Sequence, residues 1–412
     1  MRFLLSTLVA VAALGGAHAA DEPKITWKKT VLDAKFRAEG VAVADVNKDG
    51  KKDVLNGEFW YEAPDWKPHE MQKPGEYYMG LGKDGKGNNY SHSFACWADD
   101  FNGDGYPDLI VIDFPGEPCH WLENPKGKDG HWAKHVIGHS ACNETPLYTD
   151  LFGTGKRVLI MGFQPKNKKV DGNEGQMAYF TPNEKDPNAP WDVHPISEAS
   201  APGKPIPGTM RYSHGLGVGD INGDGKKDVI CTGGWWEQPQ SLDGAGKPWA
   251  FHPANLGEAA ADMYAVDMDG DGKADVLSTS AHKFGIWWHK QRPASGSESP
   301  AFQKMDLFPK LVSETHAAHF QDIDGDGRPD LITGKRFGSH GGAEPGANGP
   351  AMLYWFKNTK GADGLVTLTP NVIDDNSGIG TQFEVTDLNG DGLLDVITSN
   401  KKGVHVFVQE RK

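Results

Sequence analysis

A nine-residue acidic pattern, D-x-[DN]-x-D-G-x-x-D, recurs along this chain and constrains its fold more than any other feature. It runs from Asp45 to Asp53, Asp100 to Asp108, Asp220 to Asp228, Asp267 to Asp275, Asp322 to Asp330 and Asp387 to Asp395. A degraded copy spans Asp150 to Val158. Successive first aspartates lie 47 to 70 residues apart, the length of one four-stranded blade with variable loops. Apolar runs such as residues 40–44 and 109–112 flank the loops and read as two buried strands joined by the acidic turn. An aromatic strand follows, as at Phe59-Trp60-Tyr61, and then an outer strand such as residues 132–137. No stretch keeps a 3.6-residue apolar period, which argues against a helical fold. Seven repeats therefore predict an all-β, seven-bladed β-propeller. The last repeat holds only three strands, and residues 25–32 carry the outer-strand pattern. Pairing that segment with the last blade would close the ring and hide both edges.

Oxygen side chains at positions 1, 3 and 5, glycine at 6 and aspartate at 9 suit a hard cation. Calcium takes six to eight oxygens at ~2.3–2.6 Å. The expected ligands are Asp45, Asn47, Asp49 and Asp53, then Asp100, Asn102, Asp104 and Asp108, then Asp220, Asn222, Asp224 and Asp228. The other three loops offer Asp267, Asp269, Asp271 and Asp275; Asp322, Asp324, Asp326 and Asp330; and Asp387, Asn389, Asp391 and Asp395. An EF-hand would place Glu at position 12 between helices, so aspartate at 9 between strands excludes it. A merely solvated turn would leave like charges crowded together. Six divalent ions would offset most of the net charge of −14. The degraded copy has Thr154 and Val158 at ligand positions and is expected to stay empty. Ca2+ at about six such sites would pin the turns rather than catalyse.

Arg2, the apolar residues 3–14 and Ala17-His18-Ala19 read as a signal peptide over 1–19. The propeller would then occupy 20–412, in a periplasm or outside the cell. No other segment is apolar enough to span a membrane, and the acidic balance argues against nucleic acid as a partner. Oligomeric state is not legible. Four cysteines allow three disulfide pairings. Cys119 and Cys142 are the preferred pair, on the expectation that both sit in loops of one face. Cys96 and Cys231 read as buried apolar residues.

With the acidic turn joining strands 1 and 2, strand 1 must begin on the opposite face, around the central channel. Residues six positions before each first aspartate should ring that mouth: Glu39, Phe94, Glu144, His214, Ala261, His316 and Thr381. The strand 2–3 turns add Glu58, Glu117, His120, Trp235, Trp236, His282, Lys335, Arg336 and His340, and His92 lies two residues upstream of its ring position. Zn2+ or another divalent transition metal on His214 and His316, completed by Glu144 or Glu39, is the functional reading. The structural alternative is a solvated channel whose histidines bond neighbouring loops. Trp60, Trp121, Trp287 and Trp355 recur at one repeat position and read as blade packing. Trp235 and Trp236, beside Gly233-Gly234, are candidates for a sugar-stacking platform. His131, His135 and His194 read as surface residues, and His319 as packed between blades.

The loops and their Gly-Val-Ala-Val-Ala-Asp lead-in resemble the FG-GAP/VCBS repeats of integrin α-subunit heads and many secreted bacterial proteins. A narrower resemblance lies in Ser91-His-Ser-Phe-Ala-Cys-Trp-Ala-Asp-Asp, Ser213-His-Gly-Leu-Gly-Val-Gly-Asp, Met263-Tyr-Ala-Val-Asp and Ser280-Ala-His. These are similar to the propeller domain of aldos-2-ulose dehydratases, which implies dehydration of a keto-sugar such as 1,5-anhydrofructose at a zinc-containing site. The chain lacks the downstream cupin and lectin-like domains of the fungal enzyme, so only dehydration is implied. A metal on His214 and His316 would polarise the carbonyl. His92 or Glu144 would take the adjacent proton, and His282 or a metal-bound water would protonate the leaving hydroxyl. Lys335 and Arg336 would steady the enolate oxygen, with Glu39, Trp235, Trp236 and His340 binding substrate. Other readings are a non-catalytic module for glycans or proteins, and a hydrolase or polysaccharide lyase.

Overall fold

The computed structural model describes residues 24–78, 90–138, 140–141, 143–164, 174–242, 246–292 and 300–412. The signal-peptide reading of residues 1–19 and Cys142 lie outside them. Every sheet is built from the apolar, β-branched and aromatic runs expected to form strands. Asp108–Ile112 and Val158–Phe163 are buried along their whole length, as strands covered on both faces must be.

Within each repeat the strands follow one another antiparallel. Among the described residues five sheets have four strands, and a sixth has eight. The eight-stranded sheet consists of two four-stranded halves. They are joined where Leu216–Gly219 pairs parallel with Asp262–Val266. That junction needs glycine, because a Cβ at Gly217 would collide with the Met263 carbonyl. Successive sheets share apolar seams: Leu55 and Trp60 of one meet Leu109 and Val111 of the next. Val41, Val54 and Tyr61 also share a cluster with Phe383, Val396 and Phe407, so the first sheet meets the last. This is a β-propeller arrangement. Ile25–Asp33 pairs antiparallel with Gly403–Arg411, Ile25 opposite Arg411, and supplies the fourth strand of the last sheet.

The acidic turns share one hydrogen-bond scheme. Asp45 accepts the backbone N–H groups of Asp49 and Gly50, both at 3.0 Å. Asp53 accepts those of Val46 at 2.9 Å and Ala63 at 2.8 Å, tying the turn to the third strand. Gly50 has φ 87°, a left-handed conformation that explains glycine at position 6. In the degraded copy Asp150 still accepts from Thr154 and Gly155, while Val158 is buried in place of an acid. Among the described residues the only helical element is a 3-10 turn, Ser339–Gly342. Cys96, Cys119 and Cys231 are buried free thiols. Cys119 opens the strand Cys119–Glu123 instead of lying in a loop, which removes the ground for pairing it with Cys142.

Candidate metal centre

Glu39, Glu144, His214 and His316 lie just before first strands, and His282, Arg336 and Lys401 just after second strands. The acidic turns join the other ends of those same strands. The two sets of side chains are therefore at opposite ends of the sheets.

At the first end, His214, His316 and Glu144 converge, each with a ligand atom within 4.8 Å of the others, and His282 adjoins His214 from a neighbouring group with His340 and Glu344. His214 Nε2 lies 3.0 Å from His316 Nε2 and 3.1 Å from His282 Nε2. Glu144 Oε2 lies 3.2 Å from His316 Nε2 and 3.6 Å from His214 Nε2. The outer nitrogens fix two tautomers. His214 Nδ1 is 2.8 Å from the Tyr212 carbonyl, which can only accept, so Nδ1 carries the proton. His282 Nδ1 likewise donates to Glu344 Oε1 at 2.7 Å. In the neutral rings both Nε2 atoms then present lone pairs to each other. His316 is fully buried, and burial with the Arg336 charge pushes it well below the ordinary imidazole range. Burial raises the Glu144 carboxyl, but His214 and His316 beside it hold it well below the usual carboxylate range. Neutral imidazoles with a carboxylate suit zinc or a similar ion. Donor separations of this size fit bonds of ~2.0–2.2 Å to a common centre.

The cluster continues in both directions. Arg336 bonds Glu144 Oε2 at 3.3 Å and Glu39 Oε1 at 3.0 Å, and Lys401 Nζ lies 3.8 Å from Glu39. On the other side Glu344 accepts from His282 and from His340 Nδ1 at 2.9 Å. The His340 side chain is 35% exposed, so this end of the chain meets solvent. Rings link into a chain: His214 to His282 at 4.4 Å, His282 to His340 at 4.9 Å and His340 to Tyr90 at 6.4 Å between centroids. Tyr90 to Phe114 at 5.5 Å and Phe114 to Tyr212 at 5.7 Å extend it. Tyr212 is 41% exposed and held at φ 67°, a strained conformation for a non-glycine residue beside the site.

Several sequence expectations are corrected. Trp235 and Trp236 are each 1% exposed. They pack against His252 and Phe251, so neither offers a face to a sugar. Lys335 gives its protons to Glu314, Ser313 and the Gly346 carbonyl, away from the imidazoles. Arg336 is locked between two carboxylates and Glu39 is buried, which makes them supports for Glu144 rather than substrate contacts. His282 has both nitrogens engaged, by Glu344 and by His214, instead of standing apart as an acid. His92 contacts Asp113 and Tyr77, and its Asp113 hydrogen bond raises it above the ordinary imidazole range. His120 is buried and pushed down to about 3. Glu344, Lys401, Tyr90, Phe114 and Tyr212 were missed. Lys401 was findable, since it follows Asp387 at the spacing by which Arg336 follows Asp322.

At the opposite end, Asp267, Asp269 and Asp271 each bring an oxygen within 4.8 Å of the others, as do Asp322, Asp324 and Asp330. Asp269 Oδ1 is buried without a hydrogen-bond partner. Burial, with facing carboxylates adding, pushes the ninth-position acids up: Asp53 and Asp228 to about 6, Asp108 and Asp330 to about 7. Such a donor set fits a hard cation.

The fold is a β-propeller arrangement, and one stretch of it matches a known repeat. The FG-GAP-like repeat family matches residues 267–333 and 322–398. Among solved structures, the alpha-L-arabinanase of Penicillium chrysogenum complexed with arabinobiose is similar at a TM-score of 0.42 and 12% identity, over 94% of this chain and 99% of that one. The V. cholerae biofilm matrix protein Bap1 is similar at a TM-score of 0.31 and 14% identity, over 71% of this chain. The chain spans 40% of the length of that protein. No curated protein matches the chain.

Proposed function

We propose that this chain is a secreted seven-bladed propeller, pinned by calcium at its acidic turns, which dehydrates a small keto-sugar at a transition-metal site. The eight-stranded sheet would count as two adjacent blades. The convergence of His214 and His316 Nε2 with Glu144, with His282 Nε2 beside His214, carries the reading. A divalent ion held there would polarise a substrate carbonyl and acidify the neighbouring C–H. Arg336 holds Glu144 by an ion pair, and the Tyr212 carbonyl and Glu344 accept the Nδ1–H groups of His214 and His282.

His340 and Glu344 are the pair placed to move a proton between the mouth and solvent. The base takes hydrogen from the carbon next to the carbonyl, hydroxide leaves from the following carbon with a proton, and a conjugated enone and water result. The exposed ring of Tyr212 would stack on the sugar in the role expected of Trp235 and Trp236.

Purified protein should hold one transition metal per chain besides calcium, and should convert 1,5-anhydrofructose to a product with enone absorbance. His214→Ala should lose both while keeping its calcium. Wild-type protein with no transition metal and no turnover, but with glycan binding, would move the assignment to a non-catalytic module.

A further inference from the structure

At the acidic turns, the third residue is held from outside by the third strand. The holding residue occupies one register throughout, two positions beyond the partner of the loop's eleventh residue. Leu55 pairs with Trp60, Ile110 with Trp121 and Ile230 with Trp235, which places Glu62, Glu123 and Glu237 there. Leu277 pairs with Trp288 and Ile332 with Trp355, which places Lys290 and Lys357.

The residue types are matched. Asn47 Nδ2 donates to Glu62 at 3.0 Å, Asn102 to Glu123 at 3.4 Å and Asn222 to Glu237 at 3.2 Å. Where the third residue is aspartate the holder is a lysine: Lys290 pairs with Asp269 Oδ2, and Lys357 with Asp324 Oδ2 at 2.8 Å. In every case the other atom, Oδ1, is left for the inside of the turn. It accepts the fifth residue's N–H at 3.0 Å from Asn47, 2.9 Å from Asn102 and 3.1 Å from Asp324. In Asp269 it is buried without a partner.

We infer that Glu62, Glu123, Glu237, Lys290 and Lys357 are positioning residues that aim the third-position oxygen at a bound calcium ion. The inference rests on the calcium reading above. A glutamate accepts from the outer NH2 of asparagine, and a lysine binds the outer oxygen of aspartate, so each fixes the inner oxygen without touching the ion. Two copies lack the device. At the last turn the register falls on Val408, and Asn389 Nδ2 turns onto Asp391, itself an expected ligand, at 3.0 Å. That turn should bind calcium most weakly of the six. In the degraded copy the third residue is Phe152, packed edge-on against Tyr179, with Thr181 at the holding position.

The test compares two neutral replacements, only one of which can accept a hydrogen bond. Calcium per chain is measured by atomic emission after dialysis against calcium buffered just high enough to fill the wild-type sites. The triple Glu62→Gln, Glu123→Gln, Glu237→Gln variant should keep its ions. The corresponding triple leucine variant should release about three, each site weakened by roughly tenfold or more. Single Glu62→Leu, releasing one ion, serves if the triple variant does not fold. Equal losses in the glutamine and leucine series would mean that charge alone acts, and would overturn the inference, as would full retention by the leucine series. Wild-type protein that binds no calcium would remove the calcium reading itself, and this inference with it.

Discussion

His214 Nε2 lies 3.1 Å from His282 Nε2, although each ring already donates its Nδ1–H to another acceptor. In neutral rings, two lone pairs at that distance repel unless a metal ion or a shared proton lies between them. Glu344 sets one side of this arrangement. Glu344→Gln keeps an acceptor for His282 but removes the charge behind it, and should weaken transition-metal binding about 10- to 100-fold. Competition with a chelator of known affinity measures this, and an unchanged constant would show that Glu344 does not support the donor.

The calcium-free protein should be less stable at alkaline than at mildly acidic pH. Buried Asp53, Asp108, Asp228 and Asp330 keep their protons up to about pH 6 to 7 when folded. In the unfolded chain they lose them near roughly pH 3.9. The folded state binds more protons across that window, so stability falls as pH rises through it and levels off above. In chelator the melting midpoint should be lower at pH 8 than at pH 5.5, and calcium should close the gap. Calcium binding near pH 6 should also release protons, which a weakly buffered titration detects.

Deleting residues 25–32 should bare the edge of Gly403–Arg411 and produce oligomers or aggregates on gel filtration. A monomer with the wild-type melting profile would show that this strand is dispensable to the last sheet.

Two aromatic substitutions should separate core from rim. Trp235→Ala empties a fully buried position and should cost about 3–5 kcal/mol of stability by denaturant titration. Tyr212→Ala, at an exposed strained position, should leave the melt nearly unchanged or raise it, while increasing KM for a keto-sugar substrate. A Tyr212 variant with unaltered kinetics would exclude the stacking role.

The strand-turn rhythm was legible because the repeat is written in residue types that only one backbone conformation accommodates, such as Gly50 at φ 87°. Counting back from each first aspartate placed Glu39, Glu144, His214 and His316 together, since equivalent strands start at equivalent heights. What failed was direction. Trp235 and Trp236 are adjacent on one strand and must point to opposite faces, and both faces are buried because the strand has a sheet on either side. Lys335 and Arg336 diverge for the same reason: Lys335 turns to Glu314 and Arg336 to Glu144. The short approach of His282 to His214 depends on a turn shape that no residue pattern encodes.

Glu144, His214 and His316 come from three different sheets, and His282 beside His214 from the other half of the second. No contiguous piece of the chain shorter than residues 144–316 contains them, and no isolated repeat can supply that donor set, unlike the acidic turns. A metal seated there would act as a tie across the hub, complementing the strand that fastens the perimeter. Its release would then coincide with the first loosening of the circle, so metal retention would report whether the whole molecule has assembled and not merely whether its separate repeats have folded.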